Sequence, residues 1–164
     1  MRIFIFMAAA SVLLASSPVA ADSTDFCTDL QTITAQATSG FVSLRAAMLT
    51  SQAATADDDH PLTTYAATTS LAGATRCEAD DMANNGKSRL FFTCYFAANP
   101  TKLATLQTVA NAIVDCIGID QSDDMDEDDS DDTGEAHISR ANFRITVLAA
   151  DSYNDTHVII SGNY

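Results

Sequence analysis

Basic residues are scarce. Eight lysines and arginines stand against 22 aspartates and glutamates in 164 residues, a formal net charge of −14. Phosphate contacts need clustered Lys and Arg, so binding to a nucleic-acid backbone is excluded as a working expectation. There are only six glycines, and none of them builds a Gly-rich phosphate loop. Tryptophan is absent. No G-x-S-x-G, S-x-x-K or H-E-x-x-H pattern occurs, so the familiar nucleophilic and zinc-hydrolase signatures are missing. Carboxylates abound only where they are hydrated, which is the wrong setting for a raised acid. An apolar fraction of 47% still allows a real core and excludes wholesale disorder.

The N-terminus reads as an export signal. Arg2 supplies a short positive region, Ile3 to Ala15 an apolar run too short to span a bilayer, and Ser16-Ser17-Pro18 a break. Val19-Ala20-Ala21 presents small residues for cleavage, so residues 1–21 are expected to leave and residues 22–164 to form a single domain with no transmembrane segment. Cys27 lies too far on for a lipobox. The expected location is periplasmic or secreted. In that oxidising compartment, four cysteines with no C-x-x-C spacing read as two disulfides.

Cys27, Leu30, Ile33, Ala37, Phe41, Leu44 and Met48 recur at spacings of three and four, which predicts one amphipathic helix over 25–50. Gly40 lies inside it at a cost of about 1 kcal/mol. Ser51 to Ser70 shows no period and reads as a loop, with room for a short extended piece at its end; Asp57, Asp59 and His60 there are metal-capable types without a recognisable spacing. Two period-two runs follow, one around Cys77 and one around Cys94, separated by Asn84-Asn85-Gly86-Lys87. Asn-Gly is a strong hairpin signal. With Asn85-Gly86 as the two turn residues, Cys77 and Cys94 fall opposite each other, in a non-hydrogen-bonded pair. Next comes a helix with Asn99 as N-cap, Pro100 at its first position, Cys116 in its last turn and Gly118 past its end. A second hairpin is predicted from Phe143, Ile145, Val147 and Ala149 to Val158 and Ile160, turning at residues 151–155.

The predicted fold is α+β, with two helices packed on one face of an antiparallel four-stranded sheet in the order α-β-β-α-β-β. On it, Cys77–Cys94 follows from the hairpin register, and Cys27–Cys116 from the start of one antiparallel helix meeting the end of the other. A one-residue shift in the turn would move Cys94 to the opposite face and leave Cys27–Cys77 or Cys94–Cys116 open.

Residues 119–136 form an acidic loop with ten of the 22 acids. Such a density repels itself and stays solvated. Counting Asp124 as position 1 of a calcium loop puts Asp126, Asp128, Ser130, Asp132 and Glu135 at positions 3, 5, 7, 9 and 12. Asp129 stands where such a loop wants Gly, and Asp131 where an apolar residue packs. Calcium is the one cofactor this pattern points to, through Asp124, Asp126, Asp128, Asp132 and Glu135.

Leu71-Ala72-Gly73-Ala74-Thr75-Arg76-Cys77, with Thr93-Cys94-Tyr95 and Asp115-Cys116-Ile117, resembles a loose group of small exported proteobacterial proteins. They share an L-x-G-A-x-x-C strand, a C-x-aromatic strand and a helix ending in Cys. The resemblance spans residues 71–117 and implies no activity. The element order is also similar to that of type III secretion chaperones, although an export signal and disulfides point away from a cytosolic chaperone. The functional expectation is an exported, non-catalytic, disulfide-braced domain that binds another macromolecule in the cell envelope. The alternatives are a calcium-responsive envelope protein using the acidic loop and a hydrolase with an unrecognised site.

Overall fold

The computed structural model describes residues 23–52, 61–84, 87–118, 124–128, 133–150 and 152–162. The export signal, His60, Asp57, Asp59, the Asn85-Gly86 turn and Asp132 lie outside them.

A helix followed by a four-stranded antiparallel meander occurs twice. The first half is α1 (Ser23–Thr34), β1 (Arg45–Gln52), β2 (Leu62–Ala67), β3 (Arg76–Asn84) and β4 (Lys87–Ala97). The second is α2 (Lys102–Ile117), β5 (Asp124–Asp128), β6 (Thr133–Ser139), β7 (Phe143–Ala149) and β8 (Asp155–Gly162). The last strands of the halves, β4 and β8, pair antiparallel at the centre of one eight-stranded sheet, ordered β1-β2-β3-β4-β8-β7-β6-β5. The expected four-stranded sheet in the order α-β-β-α-β-β is therefore overturned: the class is α+β, but each half carries four strands rather than two.

The 25–50 helix is corrected as well. The stripe is buried from Leu30 to Leu44, but α1 ends at Thr34. Gly40 at φ 68° and Phe41 at φ 57° both adopt left-handed backbone, which no continuous helix allows. Two short 3-10 turns, Ala37–Ser39 and Val42–Leu44, flank that reversal. Met48 then falls on β1 and is 62% exposed. The 51–70 loop holds β2, and the acidic stretch holds β5 and the start of β6. α2 is capped by Thr101 rather than Asn99, because the Thr101 hydroxyl accepts the Ala104 N–H at 3.1 Å. Gly118 ends the helix in left-handed backbone, as glycine readily does.

The hairpin register holds from Asn84↔Lys87 to Arg76↔Tyr95 and sets Cys77 opposite Cys94. Their Cα atoms are 4.1 Å apart, the short spacing of a non-hydrogen-bonded pair. Cys27 of α1 bonds Cys116 in the last turn of α2, with Cα atoms 5.1 Å apart. Because the period of a strand is two, the register sorts residues into rows on each face. Cys77, Cys94, Val158, Val147 and Ala136 form one row, and Ala79, Phe92, Ile160, Ile145 and Ile138 the next. All ten are buried. They meet Leu106, Val109, Ala110 and Ile113 of α2 and Leu30, Ile33 and Phe41 of the first half. The Phe41 and Phe92 rings lie 5.7 Å apart. Among the described residues, no helix is long and apolar enough to cross a membrane.

Candidate functional site

The opposite face of the sheet has no helix over it among the described residues. The same register that buries one set of side chains presents Arg76, Tyr95, His157, Leu148 and Glu135 as a row on this open face. Glu78, Thr93, Ile159, Thr146 and His137 form the second row, and Asp80, Phe91, Ser161, Arg144 and Ser139 the third.

The first two rows are locked together on β3, β4 and β8. The Arg76 guanidinium lies 3.7 Å over the Tyr95 ring, within range of a cation–π contact. It also reaches Glu78 at 3.3 Å and Asp155 at 3.7 Å. The Tyr95 hydroxyl donates to Glu78 at 2.9 Å. The Tyr95 ring meets His157 edge-on, with centroids 4.6 Å apart, and the Tyr153 ring lies tilted against it at 4.1 Å. His157 Nε2 pairs with Asp155 Oδ1 at 3.1 Å. His157 is buried, with these two rings and Asp155 against it. Tyr153 is placed by α2: the Lys102 ammonium donates to the carbonyls of Ala150 and Tyr153 at 2.9 and 3.3 Å, which pins the turn between β7 and β8.

Beside this lies Asp80, whose two oxygens accept from Thr64 at 2.8 Å and Thr93 at 3.4 Å. Burial pushes its carboxyl above the ordinary carboxylate range, against the pull of the Thr64 hydrogen bond. Burial and the Glu78 carboxylate likewise raise the Tyr95 phenol beyond its ordinary range. The arrangement is a pre-ordered surface of rings and paired charges, with Phe91, Leu148 and Ile159 half-exposed among them. A shallow depression of about 240 Å³ lies elsewhere, at the end of α1 against Asn142 and Phe143, and is lined by neutral side chains.

The calcium candidates are placed as follows. Asp124, Asp126 and Asp128 occupy alternate positions of β5, opposite His137, Glu135 and Thr133 of β6. Glu135 lies 3.3 Å from His137 Nε2. Among the described residues, no three metal-capable side chains come together. Sequence reasoning missed the open-face cluster. The signal was present in the polar alternation Arg76, Glu78, Asp80, which the Asn-Gly register sets opposite Tyr95, Thr93 and Phe91. Tyr153 and Asp155, by contrast, join the cluster only through the pairing of β8 with β4. No family model, curated protein or solved structure matches this chain.

Proposed function

We propose that the chain is an exported, non-catalytic domain that binds a basic surface of another envelope protein through the open face of its sheet. The observation that carries this reading is the Arg76–Tyr95–His157–Tyr153 assembly, flanked by Glu78, Asp80 and Asp155, on a broad face with no cover among the described residues. Tyr and Arg are the side chains enriched where proteins meet, and rings already held in place lose little freedom on binding. In the three rows Glu78, Asp80 and Glu135, with Asp155 beside them, outnumber Arg76 and Arg144, so the face is acidic on balance, in keeping with a net charge of −14. Its complement is a patch of Lys and Arg. Export is supported by the signal-type N-terminus and by disulfides that take up all four cysteines.

Two measurements test this. Protein recovered from the cell envelope should begin at Asp22; an intact Met1 would remove the export half of the proposal. A photo-crosslinking residue at Arg144 or Thr146, on the open face, should give a discrete adduct that Tyr153→Ala abolishes. The same probe at Thr28 or Gln31, on the exposed side of α1, should give none. Equal adducts from both faces, or adducts indifferent to Tyr153→Ala, would refute the assignment of the open face.

A further inference from the structure

Arg76 lies in a seat that the rest of the open face builds without it. Its guanidinium sits 3.7 Å over the Tyr95 ring. Nε donates to Glu78 Oε1 at 3.3 Å on one flank, and an outer nitrogen meets Asp155 Oδ2 at 3.7 Å on the other. The second oxygen of each carboxylate is already engaged. Glu78 Oε2 accepts the Tyr95 hydroxyl at 2.9 Å, and Asp155 Oδ1 pairs with His157 Nε2 at 3.1 Å. The Tyr95 ring is fixed in turn by its edge contact with His157 and by the pairing of β4 with β3 and β8. The floor of the seat and both of its walls are thus held by something other than Arg76.

The occupant is the loose part. The Arg76 side chain is 54% exposed, whereas those of Glu78 and Asp155 are 18% and 24% exposed. Arg76 is the first residue of β3. The backbone beside it stays pinned when its side chain leaves, because Thr75 donates its N–H and its hydroxyl to the Tyr95 carbonyl at 2.7 and 2.9 Å. A long side chain at a strand end can swing into water, and the braced carboxylates cannot follow it. Carboxylates partly withdrawn from water and stripped of their cation favour the next cation that fits.

We propose that this seat is the arginine-binding point of the open face: a guanidinium of the partner replaces that of Arg76, which acts as a resident competitor. The inference rests on the reading of the open face as the binding surface, and it names the side chain that the basic partner must bring. Shape selects arginine over lysine. A flat guanidinium stacks on the ring while its nitrogens reach carboxylates on both flanks, as Arg76 itself does. An ammonium is a compact charge that cannot do both. Arg76 also sets the affinity. If it fills the seat for about nine-tenths of the time, an incoming arginine binds about tenfold more weakly than to an empty seat.

Small probes test this on the exported protein with both disulfides formed. L-argininamide and L-lysinamide carry equal charge, so general attraction to a protein of net charge −14 is the same for both. Binding is read from the NMR shifts of the Tyr95 and His157 rings. Arg76→Ala should bind argininamide with a Kd on the order of 1 to 10 mM, and lysinamide about tenfold more weakly or worse. The parent should bind argininamide about tenfold more weakly than the variant. Adding Glu78→Gln to Arg76→Ala should abolish the shifts, because the glutamine oxygen still accepts the Tyr95 hydroxyl but the charge is gone. Arg76→Gln keeps the stem of the side chain and should repeat the gain; it replaces Arg76→Ala if the circular dichroism of the latter departs from the parent. Equal binding of the two probes, equal binding by parent and variant, binding that survives Glu78→Gln, or no shift at all would overturn the proposal. The Thr146 photo-adduct keeps the two readings apart. An adduct that persists while both Arg76 variants ignore argininamide sinks the arginine seat alone, and absence of the adduct sinks the open face itself.

Discussion

Replacing Cys27 and Cys116 together by serine should cost the protein about 4.5 kcal/mol. The bridge joins residues separated by 89 positions, and the loop-closure model gives that figure at 25 °C for a loop of this length. The same model gives about 3 kcal/mol for Cys77–Cys94, whose separation is 17. The folded state should lose little in the first case. Both cysteines are only half-buried, and α1 remains docked through Phe26, Leu30 and Ile33, at 5%, 1% and 0% exposure. The cost therefore falls on the unfolded chain, which gains freedom when the long loop opens. Guanidinium unfolding of the Cys27→Ser/Cys116→Ser protein should show a lower midpoint and a larger denaturant slope, with the sheet signal of the native baseline unchanged. Burial also sets the order of reduction. A thiolate must reach the sulfur it attacks, and Cys94 is fully buried while Cys116 is not. Limited dithiothreitol followed by alkylation and mass spectrometry should label Cys27 and Cys116 first. A loss of stability below about 1 kcal/mol would refute the entropic account. Loss of native sheet signal would show that the bridge alone was holding α1, and first labelling at Cys94 would refute the burial argument.

Three further outcomes are expected. Asp80 has a folded-state pKa above its unfolded value of 3.8, so its contribution favours folding most at low pH and is lost as pH rises through the folded pKa. Asp80→Asn should accordingly be more stable than the parent at neutral pH, with the advantage vanishing below about pH 4; urea melts at both pH values decide it. Tyr95→Phe removes the hydrogen bond to Glu78 and should cost about 1.5 kcal/mol at neutral pH. Because the Tyr95 phenol is raised, the parent should lose stability as pH climbs past 10, where the unfolded phenol ionises, and the Phe variant should lose less. Deleting residues 123–132 removes eight acids and the β5 edge strand but neither disulfide. The deletion should melt within a few degrees of the parent and depend less on salt; a collapsed melting temperature would show that the acidic edge holds the fold.

What could be read from residues alone was whatever local chemistry decides. Asn-Gly with flanking alternation is enough to register Cys77 on Cys94, because a two-residue turn leaves one pairing. α2 announces its own end at Gly118, and the Phe143–Ile160 hairpin shows a clean period of two because one face is buried and the other open. β1, β2 and β5 gave no such signal. β1 is exposed on both faces, β2 is intermediate on both, and β5 is almost all carboxylate, so none alternates. Met48 even continued the helical spacing of Leu44, and only the left-handed pair Gly40–Phe41 shows why the helix cannot reach it. The open-face cluster depends on a contact between strands about 60 residues apart in sequence: when β8 pairs with β4, His157 comes to lie beside Tyr95 and Asp155 within reach of Arg76. Spacing along the chain encodes a helix, a turn or a hairpin register. Which face stays open, and which side chains meet on it, is settled only when distant strands choose their neighbours to bury one apolar face beneath the two helices.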